Sequence, residues 1–475
     1  MKRKRWKRSR NPQKLLAAVV SAFLLLQPAM AVPAAGAGPE TSVAGAETGE
    51  AVAGELRQMQ EDIIEWRRSL EDSSQLLSGE LLDKAGSAGS DWFAFDISRM
   101  GIKDQQAAYL SRLEDVVEKI YQDMEDSQLR YRLSDLHRIA MTVEACGGDP
   151  TAFGSDPEGN PINLIRDSVW NSIWGDPGAQ GINGYIWALL TVDSKGYEEP
   201  ADAEWTREKL ITSILSRQLA DGGFGLIKTD PSDVDLTSMA LTALAPYRDS
   251  EQTYTVTNIV SEEQVTMTVA EMSERAFACL EKLQQADGSM ITYEERTSES
   301  TSWAMMALAS WGRDPETDEQ FIKNGQTLLD GLRAFRLEDG SIIHSLDGDQ
   351  EETEGNNMAG YQAVYGLEAV CRLKEGRPGV FDLSDAPEIS REEIEKAGAE
   401  LPELTEEEEK TGEQVKQETG SRAVLVTAVA ASGIVLAVVI FLILLLRDRN
   451  KKKQKADSDG GTGREENADG EDDEW

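Results

Sequence analysis

Cysteine and histidine are scarce. Three cysteines, Cys146, Cys279 and Cys371, lie far apart in 475 residues, each inside an apolar helical stretch. That spacing gives neither a disulfide framework nor a zinc site, and it suits small buried hydrophobes. Two histidines, His137 and His344, leave little for an imidazole-based metal site, and no metal or cofactor is expected. Basic side chains are outnumbered, with 48 Lys and Arg against 86 Asp and Glu and a net charge of −38. Such a surface repels polyanions, which excludes a nucleic-acid partner, and it keeps a protein soluble.

Long apolar runs are also few, and they sit at the two ends. Eight Lys and Arg residues between Lys2 and Lys14 precede an apolar run from Leu15 to Leu26 and the small-x-small step Ala29-Met30-Ala31. Basic head, short apolar middle and small-residue exit make residues 1–31 a predicted secretory signal peptide. The second run, Ala423 to Leu446, is uncharged and long enough to cross a hydrocarbon core of about 30 Å. Arg447, Arg449 and Lys451 to Lys453 follow it, and Glu407 to Glu409 precede it. The positive-inside rule therefore predicts a single-pass membrane protein with the N-terminal domain outside and the tail 447–475 in the cytoplasm. Leu401-Pro402-Glu403-Leu404-Thr405 misses the sortase pattern, because Leu404 stands where Thr is required. Covalent attachment to a cell wall is therefore not expected. Export with so few cysteines suits a secretion route that does not depend on disulfides, as is common in Gram-positive bacteria.

Between the ends, residues 32–53 read as a flexible leader, 54–388 as the extracellular domain and 389–420 as an acidic spacer. The domain repeats. Each unit pairs an amphipathic helix with one that is apolar nearly all round. Phe321, Leu328, Leu329, Leu332 and Phe335 form a stripe of the first kind, and Met239 to Ala245 is of the second. Outer helices are predicted near Glu55–Leu70, Asp104–Tyr121, Ile162–Ile173, Glu204–Leu219, Glu271–Gln285 and Asp318–Phe335. Inner helices are predicted near Trp92–Met100, Asp135–Cys146, Gly184–Val192, Leu236–Tyr247, Ser300–Trp311 and Met358–Leu373. Amphipathic helices outside and all-apolar helices inside predict an all-α double ring of six pairs. Matching Asp-Gly turns punctuate it at Asp221-Gly222, Asp287-Gly288 and Asp339-Gly340. Thr253 to Val256 and Val265 to Val269 alternate with period two, which predicts an inserted β-hairpin.

Gln218-x-x-Asp221-Gly222-Gly223-Phe224, Asp233 to Leu241 and Ser298 to Leu308 resemble the repeats of the terpenoid cyclase and protein prenyltransferase superfamily. The nearest likeness is to membrane-anchored, prenyltransferase-like surface proteins of Firmicutes. The resemblance implies an (α/α)6 toroid over about Glu55 to Asp385. It also connects the chain to toroids in the cobalamin carriers, where the ligand is a corrinoid nutrient.

Cyclases of this superfamily carry Asp-x-Asp-Asp, whose middle carboxylic acid donates a proton. Asp233-Val234-Asp235-Leu236 resembles it, making Asp233 and Asp235 catalytic candidates, but Leu236 replaces the last Asp. Aromatics that would line a carbocation cavity make up only 6% of the chain. Asp235 also reads as a helix N-cap, equivalent to Ser134, Asn183 and Asn357 in other repeats. The prenyltransferase zinc ligands are not matched, since no cysteine neighbours Asp233 or Asp235.

In a double ring the inner helices run the same way, and their N-termini meet at one mouth. Asp91, Ser134, Asn183, Asp235, Glu299 and Asn357 are polar groups expected there, with Trp92, Tyr185, Trp187, Trp303 and Tyr361 as flat apolar contacts. The sequence thus points to a non-catalytic module at the cell surface that binds a small molecule, such as a corrinoid or other nutrient, or an envelope protein. The alternatives are a terpene-cyclase-like enzyme using Asp235 as general acid, and a structural envelope protein.

Overall fold

The structure is a computed structural model that describes residues 43–126, 132–348 and 352–402. The predicted signal peptide, the membrane-spanning run 423–446 and the tail lie outside the described residues. Among the described residues no helix is long and apolar enough to cross a membrane. The chain divides into two compact units, Met1–Glu50 and Ala51–Trp475, and the architecture below belongs to the second.

The fold is mostly helical. In chain order the helices are α1 (Val43–Ser69), α2 (Gly79–Asp83), α3 (Ala88–Arg99), α4 (Gln106–Asp126), α5 (Leu133–Ala145), α6 (Ile182–Asp193) and α7 (Arg207–Leu215). They continue as α8 (Val234–Leu244), α9 (Val269–Leu283), α10 (Ser298–Ser310), α11 (Leu328–Arg333), α12 (Asn357–Glu375) and α13 (Arg391–Ala399). Two antiparallel hairpins interrupt them: β1 (Tyr254–Thr257) with β2 (Gln264–Met267), and β3 (Met290–Thr292) with β4 (Glu295–Thr297).

Helices α3, α5, α6, α8, α10 and α12 form a closed inner ring. Each packs on the next, and α12 returns to α3. Burial on every side explains their composition. In α10, Ser298 to Ala309 are all buried. Small residues let neighbours approach closely: a Cβ added at Gly366 of α12 would stand 2.9 Å from the Ser302 Cβ of α10. Outside lie one-sided helices such as α9, which buries Met272, Ala276, Phe277 and Leu280 on one stripe. α1 meets α12 and the end of α11 at a seam. Gln60 of α1 donates to Val364 O (3.2 Å) and to Glu368 (3.1 Å) of α12. Arg333 reaches Glu55 at 2.8 Å, and Arg336 pairs with Asp62.

The repeated turn has a repeated physical cause. Gln218 Nε2 donates to Gly222 O (2.8 Å) and Met272 O (2.9 Å), and Gln284 Nε2 donates to Gly288 O (3.3 Å) and Phe321 O (2.8 Å). Gly288 sits at φ +90°, and a Cβ there would lie 2.0 Å from Thr327 O, so only glycine fits. The third copy places Arg336 where the glutamines stand.

Several expectations need correction. The predicted outer helix Ile162–Ile173 is reduced to a short helical piece, π-helical over Arg166–Trp170, with Asn163 Oδ1 capping its start by accepting the Arg166 N–H at 2.8 Å. The predicted helix Asp318–Phe335 is broken into a 3-10 turn, Glu319–Phe321, and α11 by a tight turn at Asn324-Gly325. The packed body also runs past 388. α13 carries a capping box of Ser390 and Glu393 and lies on α4, with Ile394 buried and Arg391 paired with Glu114.

The C-terminal ends of the inner helices are crossed by a strap, residues 376–389. Arg99 donates to Val380 O (2.9 Å) and Asp382 O (2.8 Å) and pairs with Asp385 at 2.8 Å. Arg372 pairs with Asp385 at 2.9 Å and Glu368 at 2.8 Å. Leu383 N donates to Ser194 O at 2.6 Å, and Ile389 N to Gly147 O at 2.8 Å, which fixes the strap to α6 and to the end of α5.

Candidate functional site

The axis of the ring is filled. Trp92, Trp187 and Trp303 project inward from α3, α6 and α10, with ring centroids 5.3 Å (Trp92–Trp187) and 5.9 Å (Trp187–Trp303) apart. Tyr365 of α12 closes the group at 5.9 Å from Trp92 and 5.4 Å from Trp303. The strap then inserts Phe381, which stacks on Trp303 at 6.2 Å and meets Trp187 edge-on at 5.8 Å. Rings in mutual contact leave no space for a substrate at that level. Tyr365 and Phe381 were not among the residues expected here. Tyr365 lies one turn beyond Tyr361, and Phe381 reaches the axis only through the strap.

At the opposite mouth the helices begin earlier than the sequence implied. The N-caps are Ser87, Arg132, Gly181, Asp233, Thr297 and Asn356. Ser134, Asn183 and Asp235 therefore lie inside the first turn, and Asn357 is the first residue of α12. Asp233 performs the capping expected of Asp235, accepting the Leu236 N–H at 2.9 Å. Asp235 is released from that duty. It sits half-buried and accepts a hydrogen bond from Ser300 Oγ of α10 at 2.6 Å.

Other expected residues separate. Tyr185 faces outward, 5.6 Å from Trp205, with its hydroxyl on Asp176 at 3.1 Å. Tyr361 packs edge-on against Phe93 at 5.9 Å, between α12 and α3. Asp91 is fully buried behind the mouth, bound by Arg138 (2.8 Å) and the Tyr109 hydroxyl (2.6 Å). His137 is buried with Nε2 3.0 Å from Ser168 O, and burial lowers its imidazole to about 4, so it stays neutral. Asn183 and Trp187 remain half-buried at the mouth, and Asn357 is exposed. A cleft of about 200 Å³ runs between the starts of α5 and α6, lined by Ser134, Trp174, Asp176, Gln180 and Asn183.

The electrostatics centre on four acids and a histidine. Burial, then the charges of Asp233 and Glu299, raise Asp235 to about 7, against the stabilising effects of Ser300 and His344. Burial also raises Asp233. Glu299, at the same position in α10 as Asp235 in α8, is buried and holds His344 Nδ1 at 2.9 Å. Burial alone would lower His344, but the Glu299 bond and charge override it and raise the imidazole. Glu352 accepts the His344 backbone N–H at 2.7 Å. A carboxyl that titrates near neutrality can exchange protons or meet a cation. Among the described residues no three His, Cys, Asp or Glu side chains are arranged to hold a metal ion.

No protein-family model and no curated protein matches the chain. Among solved structures the chain is similar to ent-copalyl diphosphate synthase from Streptomyces platensis, at 16% identity and a TM-score of 0.37. The match covers 62% of this chain and 50% of that one, so the chain spans about half the length of that structure.

Proposed function

We propose that this protein is an exported, single-pass membrane protein whose (α/α)6 toroid, of the terpenoid cyclase and prenyltransferase type, acts as a non-catalytic binding module. The mouth formed by the inner-helix N-termini is the binding face. The observation that carries this reading is the contrast between the two sides of the ring. The axis is packed by Trp92, Trp187, Trp303, Tyr365 and Phe381, whereas Asn183 and Asp235 keep access to solvent at the mouth. The closed order of six inner helices supports the toroid, and the basic-apolar-small leader with the run 423–446 supports export and a tether.

The test is a thermal-shift screen of the detergent-solubilised full chain against cobalamin, isoprenoid diphosphates and envelope-derived small molecules. A ligand of the mouth raises the melting temperature of the wild type and not of Asp235→Asn. Shifts that are equal in both proteins contradict the reading.

A terpene-cyclase-like activity is the second reading, and one observation favours it: Asp235 is raised to about 7, as a general acid requires. It needs an open cavity beneath Asp235, where the rings now meet. A cyclised product that keeps its diphosphate, formed from geranylgeranyl diphosphate and lost in Asp235→Asn, would establish it.

A further inference from the structure

Two chain segments that enter the inner ring, the loop 224–233 before α8 and the β3–β4 hairpin before α10, meet beside Asp235. Each exposes large apolar side chains. Leu226 is 38% exposed, Ile227 52% and Tyr293 62%. Asp230 connects the two segments: it accepts the Ile227 N–H at 3.2 Å and lies within electrostatic reach of Tyr293, whose hydroxyl is hydrogen-bonded to Asp233. The hairpin tip is strained. Tyr293 and Glu294 both occupy the left-handed region, at φ +50° and +69°, where a two-residue turn normally carries Asn or Gly. A bulky side chain is held there against backbone strain.

Charge around Tyr293 is acidic, with Asp230, Asp233 and Asp235 within electrostatic reach of its hydroxyl. The neighbouring cations are engaged elsewhere: Arg296 pairs with Asp287 and Asp347 at 2.6 Å each, and His344 with Glu299 at 2.9 Å. Lys228, the cation on the loop itself, is exposed. Exposed apolar side chains beside acidic groups complement a segment that carries aliphatic side chains and a cationic head.

We propose that Leu226, Ile227 and Tyr293 with Asp233 and Asp235 dock a basic, amphipathic segment of a partner protein, an Arg or Lys head lying between the Tyr293 ring and the two carboxylates. This rests on the mouth being the binding face and adds the chemistry of its partner. The aromatic ring supplies a cation–π contact, the carboxylates charge-assisted hydrogen bonds, and the aliphatic pair a seat for the neighbouring residues of the segment.

The experiment measures fluorescence anisotropy with the full chain in detergent micelles at 0.15 M salt. The probes are labelled twelve-residue peptides alternating Leu with Arg, with Ser or with Glu. The expected result is saturable binding of the Arg–Leu peptide, at least tenfold tighter than either counterpart. Tyr293→Gly and Ile227→Ser weaken it at least fivefold. Tyr293→Gly does so without lowering the melting temperature, because glycine relieves the turn, and this separates docking from a structural role. Arg–Leu binding that survives both neutral substitutions is general attraction to an acidic chain and overturns the proposal. So does full displacement by millimolar tetramethylammonium, which would make the occupant a small cation. Preferential binding of the Ser–Leu peptide, abolished by Tyr293→Gly, would keep the mouth as the binding face and reject the cationic partner. Absence of binding by all three peptides rejects the docking proposal and leaves the small-molecule screen to decide the mouth itself.

Discussion

Asp235 Oδ1 accepts a 2.6 Å hydrogen bond from Ser300 Oγ, joining α8 to α10 across the mouth. The bond favours the charged carboxylate, yet burial and the neighbouring Asp233 and Glu299 win, and the group titrates at about 7 instead of 3.8. A carboxyl raised on folding contributes stability below its unfolded value and loses it as pH rises through the folded one. Asp235→Asn is therefore expected to stabilise the protein by about 2 kcal/mol at pH 8, allowing for partial solvent screening. The gain shrinks below pH 7 and vanishes below about 3.8. Thermal melts from pH 4 to pH 8 measure it. His344, raised by Glu299, adds a loss of the same sign as it deprotonates. A substitution equally neutral at every pH would show that Asp235 is solvated.

Phe381 fills the axis from the strap side. Phe381→Ala removes a ring that touches Trp92, Phe95, Trp187, Trp303 and Tyr365. The expected cost is about 3–5 kcal/mol in urea denaturation, with a red shift of tryptophan emission. A loss below about 1 kcal/mol would mean that the axis is not packed.

The strap is held by buried charge and the seam with α1 by exposed charge, so ion pairs at the two places should differ in weight. Arg372 is 1% exposed and contacts Glu368, Asp385 and the Arg99 carbonyl. Arg372→Ala takes one cation from Glu368, which keeps Arg57, and one from Asp385, which keeps Arg99, and strips the Arg99 carbonyl of its donor, at an expected cost of about 2–3 kcal/mol. Arg336→Ala, which breaks an exposed pair with Asp62, should cost under about 1 kcal/mol. Chemical denaturation of the two variants side by side checks the contrast.

Gly288→Ala tests the repeated turn. Its Cβ would meet Thr327 O at 2.0 Å, while at Gly312, also left-handed at φ +72°, nothing lies within 4 Å. Alanine at Gly312 should cost about 1 kcal/mol from backbone strain alone, and at Gly288 at least twice that. Equal costs would place the turn elsewhere.

The inner ring was legible because helices buried on all sides must be apolar on all sides, and α8 and α10 are. The inserted hairpin at 254–267 was legible from its alternation. The caps were missed by one or two residues. In α8 a single apolar residue, Val234, separates the true cap Asp233 from Asp235, and both are good capping types. Tyr185 was placed on the wrong face because facing depends on where α6 starts. Phe381 and α13 were not legible at all. Phe381 reaches the axis through contacts that include residues as distant in sequence as Trp92 and Trp187, and α13 signals its docking through Ile394 almost alone.

The most direct test of the account is hydrogen–deuterium exchange on the full chain in micelles, with and without the Arg–Leu peptide at saturation. The account predicts slowed exchange confined to 224–236 and 290–300, with the strap 376–389 unchanged. Protection of the strap, or of neither mouth segment, would contradict it.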